Sequence, residues 1–131
     1  NHVPIENKEK EGKFKDVQSG SIGLETVLGI CGKKLVDDGY LTWKDVIEKI
    51  SVNPAKLYGL DKDGVGKIDI DQPANITIFD PNEKWKLTEN SIISKSHNTP
   101  LIGLEMKGRV KYTICNGRLV YRDVSNSENK A

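Results

Sequence analysis

The sequence predicts an α/β chain in two parts, a helical segment over 21–60 followed by a β segment over 74–122. Three observations predict it. Apolar residues recur at spacings of three and four from Ile22 to Val36, which gathers them on one side of a helix. Helix start and stop residues then alternate as far as Gly59. Finally, an Asn-Gly pair separates two β-rich runs near the C-terminal end, the strongest short-range hairpin signal.

The first 20 residues are polar. Glu6, Lys8, Glu9, Lys10, Glu11, Lys13, Lys15 and Asp16 surround Phe14 and Val17, with Gly12 among them, the composition of a solvated loop. Ser21 is expected to cap the first helix, with Glu25 facing the positive end of its dipole. Ile22, Leu24, Val27, Leu28, Cys31, Leu35 and Val36 form its apolar stripe, and Asp38-Gly39 stops it. Thr42 caps a second helix over 43–50, with Asp45 three residues on as a capping box and Trp43, Val46, Ile47 and Ile50 inward. Asn53-Pro54 opens a third, as cap and first helical residue, and Gly59 ends it.

Beyond Leu60 the pattern changes to turns and strands. Asp61-Lys62-Asp63-Gly64, with Asp69 and Asp71 downstream, imitates a calcium loop. Such a loop needs Gly at its sixth position and Glu at its twelfth; here Gly stands fourth and Gln72 twelfth, so a solvated turn is expected. Residues 75–80 alternate as a strand that Pro81-Asn82 should end, and 83–108 read as a long connection. Asn116-Gly117 then closes a hairpin over 109–122, predicting the pairs Cys115–Arg118, Ile114–Leu119, Thr113–Val120 and Tyr112–Tyr121. One face would carry Val110, Tyr112, Ile114, Leu119 and Tyr121, and residues 124–131 form a polar tail.

Composition narrows the function. Twenty basic and 19 acidic side chains leave a net charge of +1, far from the excess that phosphate-backbone binding demands, so no nucleic-acid partner is expected. A 36% hydrophobic content argues against disorder, and no apolar run approaches the roughly 18 residues of a membrane span. Cys31 and Cys115 make no disulfide framework, which points to a reducing, cytoplasmic setting. There is no phosphate-cradling glycine loop, no Cys pair at metal spacing and no nucleophile elbow. His2 and His97 have no local partners. Read by themselves, the residues give no complete active site and leave open a small α+β interaction domain that uses the hairpin face as its contact surface.

Six segments, in order along nearly the whole chain, resemble the C-terminal part of a class I dihydroorotase, within the cyclic amidohydrolase superfamily that includes allantoinases and hydantoinases. They are Asn-His-Val-Pro-Ile (1–5), Ser-Gly-Ser-Ile-Gly-Leu-Glu-Thr (19–26), Ser-Val-Asn-Pro-Ala-Lys-Leu-Tyr-Gly-Leu (51–60), Ala-Asn-Ile-Thr-Ile-Phe-Asp-Pro (74–81), Ser-Lys-Ser-His-Asn-Thr-Pro-Leu-Ile-Gly (94–103) and Gly-Arg-Val-Lys-Tyr-Thr-Ile-Cys-Asn-Gly-Arg-Leu-Val-Tyr (108–121).

The resemblance implies the terminal part of a (β/α)8 amidohydrolase barrel followed by C-terminal strands of a small β domain. Residues 1–60 would be the barrel end, with an active-site loop at 2–20 and helices over 21–60, and 61–123 the β-domain portion. It further implies a zinc hydrolase of pyrimidine biosynthesis that interconverts carbamoyl aspartate and dihydroorotate. In such enzymes the first motif reads Asp-His-Ala-Pro-His, the Asp serving metal and attacking water, the last His the substrate carboxylate. Here Asn1 takes the Asp position and Ile5 the His position. Asn cannot take the water's proton and Ile cannot donate to a carboxylate, so both roles are expected to be impaired.

Ser19-Gly20 stands where the family offers main-chain atoms to the dihydroorotate ring, a contact that survives a side-chain change. Asn75 replaces a usual Asp, and Asp71 a turn Gly. The other metal ligands belong to barrel strands this chain lacks, so no intact metal site, no zinc and no activity are expected of it alone. Two readings follow: a segment of an active enzyme missing its N-terminal barrel, or a non-catalytic homologue serving as a structural partner of aspartate transcarbamoylase. An allantoinase or hydantoinase relative is a further alternative. The chain begins at Asn1, where the catalytic Asp would be.

Overall fold

A computed structural model describes residues 2–124; Asn1 and residues 125–131, most of the expected polar tail, lie outside the described residues. Residues 2–26 run without regular structure apart from a 3-10 turn at Asn7–Lys10. The first helix, α1 (Val27–Cys31), begins later than the apolar spacing predicts. Ser21 does not cap it. The carbonyl of Ser21 accepts the Val3 N–H at 2.8 Å and the Ile22 N–H goes to Asn98 O at 3.1 Å, so the 21–22 backbone is already committed to an extended neighbour and cannot wind. Thr26 precedes the helix instead, its hydroxyl donating to Gly23 O at 3.2 Å.

α1 continues into a π-helical turn at Gly32–Val36, where the Asp37 N–H reaches five residues back to Gly32 O at 3.0 Å. It ends as expected near Gly39, whose φ of +77° few other residues adopt at low cost. The second helix, α2 (Trp43–Ile47), carries the full capping box: Thr42 Oγ1 accepts the Asp45 N–H at 3.2 Å while Asp45 Oδ2 accepts the Thr42 N–H at 2.8 Å.

The expected break at Asn53-Pro54 does not occur. α2 passes through a second π-helical turn (Glu48–Val52) straight into α3 (Asn53–Leu57), with Asn53 in helical conformation rather than acting as a cap. Proline brings no N–H and crowds the carbonyl one turn back. The wider π turn supplies the room, the Asn53 N–H bonding to Glu48 O.

Three antiparallel strands follow in the order β1 (Ile76–Lys86), β2 (Glu105–Cys115), β3 (Arg118–Arg122). β1 does not stop at Pro81. Asp80 Oδ1 accepts the N–H groups of Asn82 (2.8 Å) and Glu83 (3.2 Å), holding an irregularity after which pairing resumes at Lys84–Lys107. A bulge is where a strand tolerates proline, since no ladder N–H is needed there.

The hairpin turn has positive φ at both Asn116 (+48°) and Gly117 (+76°). Cys115–Arg118 and Ile114–Leu119 pair as expected; Val120 then bulges, so Thr113 faces Tyr121 and Tyr112 faces Arg122. A second irregularity lies between Ile78–Tyr112 and Phe79–Val110. Each bulge reverses the alternation beyond it. The predicted common face of Val110, Tyr112 and Ile114 is therefore broken, and Val110, Thr113 and Tyr121 line one cavity with Leu24 and Leu28.

The core sits between the sheet and the segments crossing it: Met106, Leu87, Ile22 and Ile92 are buried, with Ile30, Trp85 and Leu101 packed against them. α1 reaches β2 closely because Gly29 and Gly32 face it. A methyl on Gly29 would meet Met106 Cβ at 2.9 Å, and one on Gly32 would overlap the Lys107 carbonyl. The Trp43 ring fits against Gly32 and Gly108 and lies 5.0 Å from the Phe79 ring. Leu24 and Val27, predicted inward, are 70% and 40% exposed. They wall an open apolar groove of about 570 Å³ with Ile47, Ile50, Phe79 and Val110.

Candidate functional site

Three segments apart in sequence, 2–5, 19–23 and 94–98, meet in the fold. Their meeting is made by side chains bonding to foreign backbone. Asn98 Nδ2 donates to Val3 O at 3.0 Å and Gly20 O at 3.2 Å, and its Oδ1 accepts the Ile5 N–H at 3.3 Å. Ser96 Oγ accepts the same Ile5 N–H at 3.2 Å and lies 2.6 Å from Ile5 O. A single Asn with two donors and an acceptor can hold two strands of chain at once; here it does so between the first segment and the loop.

Glu25 anchors the third segment. Its two carboxylate oxygens accept the N–H groups of Ile93 (2.7 Å) and Ser94 (2.9 Å), so it faces a loop and not the helix dipole. His2 Nδ1 accepts the Gly23 N–H at 3.2 Å. Lys10 Nζ donates to Gln18 O at 2.7 Å and Gly20 O at 2.9 Å, closing the loop between them.

The predicted site residues fall as follows. Ile5 is buried and packs on Gly20, whose φ is +144° and whose missing side chain would strike Ile5 and Val3 at 2.7 Å. Ser19 is exposed beside Gly20. Structure thus brings Ile5 and Gly20 together with Ser19 alongside; Asn1 lies outside the described residues. A surface concavity of about 500 Å³ opens nearby, walled by Pro4, Ile5, Glu6, Asn7 and Ser94 to Ser96. Ser19 and Gly20 are not among its walls.

Sequence reasoning missed Lys10, Glu25, Ser96 and Asn98 as site-builders. The signals available were the resemblance over 19–26 and 94–103 and the run Ser94-Lys95-Ser96-His97-Asn98-Thr99, polar throughout.

Among the described residues no cluster of three or more His, Cys, Asp or Glu side chains could hold an ion, and His2 already uses Nδ1 on backbone. Cys31 is an unsuitable nucleophile, because burial pushes its thiol up and disfavours the thiolate. What the arrangement offers is a buried apolar Ile5, a Gly20 whose carbonyl is bonded by Lys10 and Asn98, and the exposed Ser19 beside it. Among the described residues no helix is long and apolar enough to cross a membrane.

Residues 16–120 match the Amidohydrolase family. The chain is 46% identical over 122 residues to the dihydroorotase of Clostridium acetobutylicum, covering 93% of this chain and 28% of that protein. It is 43% identical over 122 residues to the dihydroorotase of Aquifex aeolicus, with the same two coverages. Among solved structures it superposes on a D-hydantoinase from Bacillus sp. AR9 with a TM-score of 0.83 and 28% identity, over 93% of this chain and 27% of that one. An L-hydantoinase (dihydropyrimidinase) from Arthrobacter aurescens gives 0.78 and 26%, over 88% and 26%. The chain thus spans about 28% of the length of the curated relatives it matches.

Proposed function

Because the chain belongs to the amidohydrolase family, we propose that it is the C-terminal part of a dihydroorotase-like enzyme acting on dihydroorotate and carbamoyl aspartate. In this reading residues 1–60 complete a (β/α)8 barrel and 61–123 a small β domain. The observation that carries the reading is the Asn98 clamp, which joins the first segment, the 19–23 loop and the 94–98 run, three stretches in which the chain resembles dihydroorotases. Further support comes from apolar residues left open, among them Leu57, Tyr58, Ile68 and Ile70 at 75–84% exposure, a surface suited to the rest of a larger protein.

In this reading Ser19 and Gly20 hold the substrate ring through main-chain atoms, while the groove between helices and sheet receives the rest of the chain. Zinc would be held by residues elsewhere in the whole protein, and no step is assigned to it on the residues described. The setting is cytoplasmic.

A second reading is favoured by Ile5. Its side chain is 5% exposed and packed on Gly20, so the position a carboxylate-binding His would occupy is closed by hydrocarbon. With Asn at the position of the proton-accepting Asp, the homologue is then non-catalytic and retained as a structural partner, aspartate transcarbamoylase being the partner the resemblance suggests.

One set of chimeras separates these readings. The chain replaces the matching segment of the Clostridium acetobutylicum dihydroorotase, as it stands and with Asn1→Asp plus Ile5→His, and dihydroorotate hydrolysis is followed. Restoration should raise turnover by about 10²–10⁴-fold, the usual worth of a positioned acid–base group. Equal turnover in both chimeras would sink the degenerate reading. Hydantoin turnover with no dihydroorotate turnover in the restored chimera would replace dihydroorotase by a hydantoinase relative.

A further inference from the structure

Lys10 differs from the charged residues around it. Lys8, Lys13 and Lys15 are exposed, whereas Lys10 is half-buried and directs its ammonium to two main-chain carbonyls, Gln18 at 2.7 Å and Gly20 at 2.9 Å. The Gly20 carbonyl also receives Asn98 Nδ2 at 3.2 Å. Its two lone pairs are therefore both taken, one from the loop and one from the 94–98 segment. Gly20 is further marked by its φ of +144° and by Val3 and Ile5, which leave no room for a Cβ there. A carbonyl so held cannot serve a ligand. The N–H groups of Ser19 and Gly20, on the same short stretch, make no hydrogen bond to another described residue, and Ser19 is exposed.

We propose that Lys10 is a positioning residue: it fixes the Gly20 carbonyl from the loop side as Asn98 fixes it from the other, so that the Ser19 and Gly20 amides are presented to a ligand already ordered. This deepens the functional reading above and rests on its assignment of Ser19-Gly20 to substrate binding. Ordering a loop in advance spares the ligand that entropy, so the effect falls on affinity rather than on the chemical step. Lys10 touches no substrate in this scheme and acts through Gly20 alone. An ammonium on two carbonyls makes charge-assisted bonds, and arginine has the donors to span the same pair.

Two measurements test it. In the chain itself, Lys10→Met should speed amide exchange at Gln18, whose N–H bonds to Glu9 O across the loop, by about ten-fold or more. Exchange in Glu105–Cys115 should stay put. In the restored chimera, Lys10→Met should raise KM for dihydroorotate about ten-fold with kcat changed less than about two-fold, and Lys10→Arg should recover most of the loss. An unmoved KM, or unaltered exchange at Gln18, overturns the proposal. If the restored chimera turns over no dihydroorotate, the functional reading fails by itself. Exchange at Gln18 then still decides whether Lys10 fixes the loop.

Discussion

The carboxylate of Glu25 accepts the backbone N–H of Ser94 at 2.9 Å with one oxygen and that of Ile93 at 2.7 Å with the other. One side chain thereby ties the turn before α1 to the start of the 94–98 segment. A glutamine keeps the shape but turns an NH2 toward one of those N–H groups, leaving two donors face to face. Glu25→Gln should cost about 1–2 kcal/mol, the value of a hydrogen bond to a charged group discounted for partial exposure. Denaturant unfolding midpoints give the test, and an unchanged midpoint would show that the two bonds contribute nothing net.

Gly32, in the π turn that continues α1, makes the tightest contact with β2. A methyl there would overlap the Lys107 carbonyl and press on the Trp43 ring. Backbone cannot step aside as a flexible side chain can, so Gly32→Ala should destabilise by about 1–3 kcal/mol despite alanine's better helix propensity. Gly29→Ala meets Met106 Cβ at 2.9 Å and Trp85 Cζ2 at 3.0 Å, a shallower overlap than the one with the Lys107 carbonyl, and should cost less. Thermal melts of the two variants order them; a reversed order would contradict the packing argument.

Acid should destabilise the fold through a small set of carboxylates. Asp37 is held below its ordinary range chiefly by the hydrogen bond from Lys107, with Lys33 adding to it. Glu105 is lowered first by its hydrogen bond from Lys33, and Asp45 first by that from Thr42. Each binds its proton more weakly folded than unfolded. Their contribution is therefore complete above the unfolded values, near pH 4, and is lost as pH falls through the lower folded ones. Melting temperature followed from pH 6 down to about pH 2.5 should fall through that window, and Asp37→Asn should flatten the fall. An equally steep profile in the variant would remove Asp37 from the account. Asp37 and Glu105 are exposed and paired with lysines, so salt should weaken their share of the effect.

Much of this fold is legible in the sequence where the governing interaction is local. The Thr42–Asp45 box and the Asn116-Gly117 turn depend on residues within three positions of one another, and both formed as read. The bulges at Val120 and around Pro81 to Glu83 were not legible, because a bulge answers to the partner strand's register. Nor was the continuity of 43–57, where a π turn ahead of Pro54 overrides the usual helix-start meaning of Asn-Pro. The site was the least legible of all. Lys10, Glu25, Ser96 and Asn98 act on backbone that is 8 to 95 positions away, and no spacing rule connects a polar side chain to a distant carbonyl. The resemblance named segments that the fold brings together; it did not say what held them.

Asp71 carries the last prediction. Its φ is +61°, in the left-handed region where an L residue is disfavoured by roughly 1–2 kcal/mol and aspartate by somewhat less. The dihydroorotase resemblance places a turn glycine here, and glycine adopts this conformation without steric cost. Against that gain stands the wider freedom glycine has when unfolded, worth about 0.5–1 kcal/mol. The two nearly cancel, so Asp71→Gly should leave stability within about 1 kcal/mol of the parent. Asp71→Ala keeps the steric penalty and loses aspartate's local hydrogen bonding, and should fall about 1 kcal/mol below it. Unfolding free energies of the three chains should therefore rank glycine and aspartate together above alanine. Alanine equal to or above the others would mean that the turn relaxes out of the left-handed region, and that the positive φ at Asp71 is not demanded by the 64–75 connection into β1.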